Sequence, residues 1–252
     1  MKTAIITGAS SGLGVEFVRQ AAREFPEIEC FWLIARREDR LRVLAEELGA
    51  EKTRILALDL SRQESFDALE ETLRQEQPDV QLLINNAGCG YLGNVSETEQ
   101  GIQRRMTDLN VTALTVVTEL TLPYMKAGSH VVNVSSIASF CPNPRMTTYS
   151  STKAYVSSFT RGLSEELKGK SISVTAVCPG PMATEFITVG GIDGKSKTFQ
   201  RLPYCDPRQV VGGTLRAAKA GKVFYTPTGF YKFYRVLAKL TPQRLMVKLT
   251  KT

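Results

Sequence analysis

The sequence predicts an α/β fold, a doubly wound and mostly parallel sheet of seven strands with helices on both faces. Short apolar runs alternate with helix-length segments through most of the 252 residues, and the compact solution to that rhythm is helices packed on both faces of a parallel sheet. Most of the apolar runs show little polar alternation, as strands buried on both faces should. No linker, repeat or low-complexity tract interrupts the pattern, and a single domain of this length is ordinary and large enough for a substantial core.

In order, the first strand is predicted at residues 3–7, Thr-Ala-Ile-Ile-Thr, and the first helix at 14–25, ended by Pro26. A second strand covers 30–35, and a helix covers 37–48 with Gly49 as its C-cap. A third strand spans 54–60. The helix at 61–75 opens with Ser61 and Glu64, the spacing of a capping box. Strands follow at 81–85, 130–135, 172–178 and 223–226. In the tail, Phe230, Phe233, Tyr234, Leu237 and Leu240 fall on one face of a helix, bordered by Lys232, Arg235 and Lys239. Pro242 permits a new start, after which Leu245, Met246 and Leu249 continue the apolar pattern. The expected division is a body at 1–228 and a basic amphipathic extension of the same domain at 229–252.

Charge separates the two parts. The chain carries a formal +7, yet no acidic residue follows Asp206, whereas ten of the 32 basic residues do. The rest therefore holds 22 basic against 25 acidic residues, and the excess of positive charge belongs to the last fifth of the chain, after Asp206. The five cysteines, Cys30, Cys89, Cys141, Cys178 and Cys205, include no Cys-x-x-Cys pair and read as free thiols. The single histidine, His130, lies at a strand start, so a zinc or other metal site is not expected. The apolar run at the N-terminus is too short for a secretory signal, and no run of about 18 apolar residues offers a membrane span. The expected location is cytoplasmic, with membrane-peripheral contact through the tail as the alternative.

Three stretches carry chemistry. Residues 7–14, Thr-Gly-Ala-Ser-Ser-Gly-Leu-Gly, follow the first strand and open the first helix. Small residues there let backbone approach a pyrophosphate, and the helix N-terminus supplies N–H groups and positive potential. Strand two ends in Arg36-Arg37, where many dinucleotide sites carry an acid that holds a ribose hydroxyl. Guanidinium groups there suit a 2′-phosphate, which favours NADP(H) over NAD(H). Glu38 and Asp39 keep the NAD(H) reading open. Tyr149 and Lys153 lie four apart, on one face of a helix. An ammonium about 5 Å from a phenol, at an effective dielectric near 20, favours the phenolate by roughly 3 kcal/mol. That corresponds to about two pKa units of expected lowering, which would let the phenol exchange protons near neutrality.

These residues together resemble the short-chain dehydrogenase/reductase family, in its single-domain branch of similar length. The matching motifs run in order over roughly residues 3–185: the Gly-rich turn, Asp59-Leu60, Asn85-Asn86-Ala87-Gly88, Asn110, Ser135-Ser136, Tyr149-x-x-x-Lys153, and Pro179-Gly180 with Thr184. The resemblance implies a Rossmann-like NAD(P)-binding catalytic domain. It implies that Gly8, Gly12, Leu13 and Gly14 form the pyrophosphate turn, with Ser10 and Ser11 near the adenosine phosphate. Asp59 and Leu60 would flank the adenine, and Asn86, Ala87 and Gly88 would pass behind the ribose. Pro179, Gly180 and Thr184 would hold the nicotinamide carboxamide. Tyr149 would be the general acid or base and Lys153 would lower its pKa and hold the ribose. Ser136 would orient the carbonyl, and Asn110 would support a proton relay through water. The implied activity is carbonyl reduction or alcohol oxidation on a small molecule, with a non-catalytic NAD(P)-binding regulator or scaffold as the alternative.

Substrate choice in that family rests on the segment after Pro179-Gly180 and on the C-terminus. Residues 185–203, with Gly190, Gly191 and Gly194, read as a lid or a passive surface loop. The tail departs from the short Gly-rich ending of many members, which leaves dimer and tetramer both open. Three readings of it compete: a helix packed on the body, an interfacial helix on an anionic membrane, or a dock for an acidic carrier. Nucleic acid is not expected, since no recognition motif accompanies the charge. The apolar and aromatic tail points weakly to a lipophilic ketone.

Overall fold

The computed structural model describes residues 1–192 and 196–250. The strands are β1 Lys2–Thr7, β2 Cys30–Ala35, β3 Thr53–Ala57, β4 Asp79–Asn85, β5 Met125–Val134, β6 Ser173–Val177 and β7 Phe224–Tyr225. They form one sheet in the order β3-β2-β1-β4-β5-β6-β7, every neighbouring pair parallel. The order reverses between β1 and β4, so a crevice opens beyond their carboxyl ends, where ligands of such sheets bind.

Eleven α-helices are described: α1 Gly12–Glu24, α2 Glu38–Leu48, α3 Gln63–Glu76, α4 Ile102–Thr107, α5 Ala113–Thr121, α6 Thr147–Glu166, α7 Glu185–Val189, α8 Lys197–Arg201, α9 Pro207–Lys219, α10 Gly229–Leu240 and α11 Gln243–Leu249. A π turn at Asp108–Thr112 joins α4 to α5. The period-2 geometry of β1 divides the core. Ala4 and Ile6 pack with Phe17, Val18, Val211 and Leu215 on one face. Ile5 packs with Leu69, Leu73, Val117 and Leu163 on the other. Trp32, Leu83 and Val131 are completely buried, which is why these strands carry no polar alternation.

Three expectations are corrected. β3 ends at Ala57, not at residue 60, because Asp59 turns the chain by accepting bonds from Ser61 N and Oγ at 3.1 and 2.7 Å. That use of Ser61 also replaces the expected capping box: α3 starts at Gln63 without a side-chain cap. The third concerns α10. It docks through Tyr231 and Ala238, both buried, with Tyr234 and Arg235 half-buried beside them. Of the expected apolar face, only Tyr234 is half-buried; Phe230, Phe233, Leu237 and Leu240 stay exposed, with Phe230 and Leu237 at the cavity edge. The docking is specific: Tyr231 Oη donates to Pro203 O at 2.6 Å, and the Arg235 guanidinium lies 4.5 Å from the centre of the Phe224 ring.

Candidate active site

The carboxyl ends of β1, β4, β5 and β6 open into a cavity of about 420 Å³. Its floor is bare backbone. Gly8 and Gly12 have φ of +66° and +51°, values that side chains beyond glycine rarely tolerate. A Cβ on Gly8 would meet Asn86 Nδ2 at 2.7 Å, and one on Gly14 would collide with the Gly8 carbonyl oxygen. Asn86 Nδ2 donates to the carbonyls of Thr7 and Gly8 at 3.0 and 3.2 Å. Thr7 Oγ1 accepts from the N–H groups of Asn86 and Ala87, both at 3.0 Å. Thr7, to which the sequence assigns no separate role, thus ties the end of β1 to the end of β4.

This cradle fits a dinucleotide. Ser11, Gly12 and Leu13, at the N-terminus of α1, line the cavity with Asn86, Ala87 and Gly88. A floor without side chains beside a helix N-terminus is what a pyrophosphate requires. Pro179, Gly180 and Thr184 line the far side.

Ser10, Arg36, Arg37, Asp59 and Leu60 lie beside the cavity, not in its wall. Ser10 is nearly buried, and Arg37 approaches its Oγ at 3.3–3.4 Å while NH1 pairs with Glu185 at 2.9 Å. Glu185 also pairs with Arg40, and the two cations hold its carboxyl below the usual range. Arg36 sits 3.9 Å from the Asp59 carboxylate. Burial pushes that carboxyl up, but the bonds from Ser61 and the charge of Arg36 outweigh it and leave it lowered. Leu60 is turned into the core under the sheet.

The residues expected to carry the chemistry meet at the other end. Tyr149 and Lys153, on α6, are both buried, and Lys153 Nζ lies 5.8 Å from the centre of the Tyr149 ring. Ser136, in the turn after β5, lines the cavity beside Tyr149. The Ser136 Oγ accepts from Ala138 N at 3.1 Å. Ser135 points away, donating to Lys153 O at 2.9 Å. Lys153 Nζ donates to Val134 O at 2.8 Å.

Electrostatics here correct the sequence reading. Burial pushes the Tyr149 phenol up, to about 12, and the neighbouring Ser136 hydroxyl only partly offsets this. Burial lowers the Lys153 ammonium to about 8. The charge of Lys153 by itself would lower the phenol. In the fold, loss of water around the phenolate is the larger effect.

Asn110 stands in the π turn, almost wholly buried. Its amide braces the strand end of β4: Oδ1 accepts from Cys89 N and Nδ2 donates to Cys89 O, both at 2.8 Å. Nδ2 also reaches Thr152 Oγ1 at 3.0 Å. A Cβ on Gly88 would lie 3.0 Å from Asn110 Oδ1 and 3.5 Å from Lys153 Nζ, so glycine lets the two approach.

A family model described as short chain dehydrogenase matches residues 2–189. The chain belongs to that family. Its members are oxidoreductases acting on alcohol and carbonyl groups. A short chain dehydrogenase of Pseudocercospora fijiensis is 37% identical over 209 residues, covering 80% of this chain and 65% of its own length. Among solved structures, a short-chain dehydrogenase from Sphingobium yanoikuyae in complex with NADPH superposes with a TM-score of 0.80 at 28% identity, over 96% of this chain and 97% of that one. A bulky-bulky ketone specific alcohol dehydrogenase from Comamonas testosteroni does so with 0.75 at 29% identity, over 98% and 94%.

Within this short chain dehydrogenase, several site residues escaped the sequence reading. Phe186 packs its ring 5.6 Å from that of Tyr149. Gly90 makes room for both: a Cβ there would lie 2.6 Å from Phe186 Cζ and 2.9 Å from Tyr149 Cδ2. Of residues 185–203, read as a lid or a passive surface loop, the structure describes helices α7 and α8; residues 193–195, Gly194 among them, lie outside the described residues. Tyr231, Tyr234, Leu237, Met246 and Leu249 bring the tail into the cavity wall. Only the amphipathic pattern of the tail hinted at this. Among the described residues, no cluster of His, Cys, Asp or Glu is placed to hold a metal.

Proposed function

We propose that the protein is an NADPH-dependent carbonyl reductase for lipophilic ketones, with Tyr149 as the proton donor. The observation that carries this reading is Tyr149, beside Ser136 and Lys153 and facing a cavity whose outer wall is apolar. A related structure carrying NADPH and another named for bulky ketones support the cofactor and the substrate class.

The bound nicotinamide supplies the hydride for the carbonyl carbon. Gly8, Gly12, Leu13 and Gly14 hold its pyrophosphate, and Pro179, Gly180 and Thr184 its carboxamide end. Arg37, Arg36 and Ser10 take the 2′-phosphate, while Asp59 and the Leu60 backbone flank the adenine. Ser136 and Tyr149 aim two hydroxyls at the carbonyl oxygen, where negative charge develops. Tyr149 then gives that oxygen its proton. A phenol pushed up to about 12 is protonated at neutral pH, which suits reduction better than oxidation. Lys153 offsets the charge left on the phenolate. Asn110 is a positioning residue that fixes Cys89 and Thr152 beside the reacting pair.

A panel of ketones of increasing apolar bulk, with NADPH and NADH compared, tests the assignment. NADPH-dependent alcohol formation should strengthen with apolar bulk. No turnover with any ketone, or equal use of small hydrophilic ones, contradicts it.

A further inference from the structure

The tail carries more apolar surface than its docking uses. By helical geometry α10 divides into three arcs. Tyr231, Tyr234, Arg235 and Ala238 face the body. Lys232 and Lys239 occupy a second arc and are exposed. The third holds Phe230, Phe233, Val236, Leu237 and Leu240, exposed by 53, 67, 55, 40 and 78%. Leu245 and Leu249 of α11 add two more, at 54 and 73%. Single exposed apolar side chains need no explanation, but a contiguous run does. The run also meets the site, because Phe230, Leu237 and Leu249 line the cavity while remaining exposed. They form its rim.

We infer that α10 and α11 seat the protein on an anionic membrane surface, so that the cavity opens toward the lipid. An apolar arc flanked by lysine is the pattern of a helix lying in the lipid interface. Lys232, Lys239, Arg244 and Lys248 are exposed, and none forms an ion pair among the described residues. No Asp or Glu side chain follows Asp206 in the sequence to neutralise them. Arg235 is excluded from this set, since it stacks on Phe140 and Phe224 and holds the helix to the body. A second copy of the chain is the weaker occupant. A self-complementary contact would bring the same four cations of both copies together without an acid between them. Anionic headgroups supply the missing counter-charge, and the acyl region receives the apolar arc. Docking rests on the surface alone; delivery of substrate from the bilayer rests also on the carbonyl-reductase reading.

Flotation with phosphatidylglycerol–phosphatidylcholine vesicles, compared with vesicles of phosphatidylcholine only, tests the docking. The wild type should float with the anionic vesicles and do so less at high salt. The double variant Phe233→Glu/Leu240→Glu should bind at least about tenfold more weakly, as should Lys232→Glu/Lys239→Glu. None of these four side chains lines the cavity, so turnover of a water-soluble ketone should be unchanged in both variants. Failure of the wild type to float, or equal flotation of Phe233→Glu/Leu240→Glu, overturns the inference. So does a wild-type dimer, seen by light scattering, that becomes a monomer in that variant without any flotation, since the face is then a contact between copies. Flotation needs no turnover: a protein that floats but reduces no ketone refutes the proposed activity and leaves the docking standing.

Discussion

Tyr149 and Lys153 share one dry pocket, and desolvation acts on them in opposite directions, raising the phenol to about 12 and lowering the ammonium to about 8. Both shifts favour the neutral form. The pH dependence follows from the signs. The folded state holds the lysine proton less tightly than the unfolded chain, whose value is near 10.5. Between about pH 8 and pH 10 the unfolded chain therefore binds more protons, and Lys153 makes stability rise with pH by about 1–3 kcal/mol. Above about pH 10 Tyr149 acts in the opposite sense, because its folded value is the higher one. Urea unfolding at pH 7 to 10 should show this rise in the wild type and lose it in Lys153→Met; a parallel profile in both refutes it. Arg37 makes a second prediction. It lies against Ser10 but is held by Glu185, so a 2′-phosphate competes with that carboxylate. Arg37→Ala should weaken NADPH binding about 10–100-fold and NADH binding far less, while Glu185→Gln strengthens NADPH. Equal effects of Arg37→Ala on both cofactors, measured by titration, would remove the argument.

At the scale of elements, glycines separate space from strain. Gly90→Ala drives a methyl group into Phe186 and Tyr149. It should cost about 1–3 kcal/mol of stability and lower kcat, because the ring that moves carries the hydroxyl proposed as proton donor. Gly162, inside α6, has nothing within 4 Å of a new Cβ, so Gly162→Ala should instead stabilise by about 0.5–1 kcal/mol. Thermal melts that do not separate the two variants contradict this packing. The strands were legible because burial on both faces leaves an unbroken apolar run, as in β2 Cys30–Ala35. Strand ends were less so: Asp59 stops the β3 segment through a side-chain bond to Ser61 that competes with the ladder. The orientation of α10 was not legible either. Its apolar arc looks the same in sequence whether it packs or stays exposed, and tight docking of Tyr231 over Gly180 decides the outcome.

Across the molecule, one sheet gathers residues from distant parts of the chain around one cavity, with Gly8 after β1, Asn86 after β4, Ser136 after β5 and Gly180 after β6. The parallel topology makes those positions readable in advance, since a motif after a strand must emerge at the same edge. The partners that tune them were hidden, because Phe186, Glu185 and the tail reach the site from the segments least constrained by strand order. Under the proposed assignment this division also separates binding from proton transfer: the cradle would hold the cofactor from below, and Tyr149 would meet the substrate from the side of α6. Tyr149→Phe removes one hydroxyl and leaves the cradle intact. NADPH consumption with a reducible ketone, measured beside NADPH titration of the same samples, is the most direct test of the assignment. The expected result is a loss of turnover of at least about 100-fold with NADPH affinity unchanged. Turnover retained in Tyr149→Phe would contradict the central role given to that phenol.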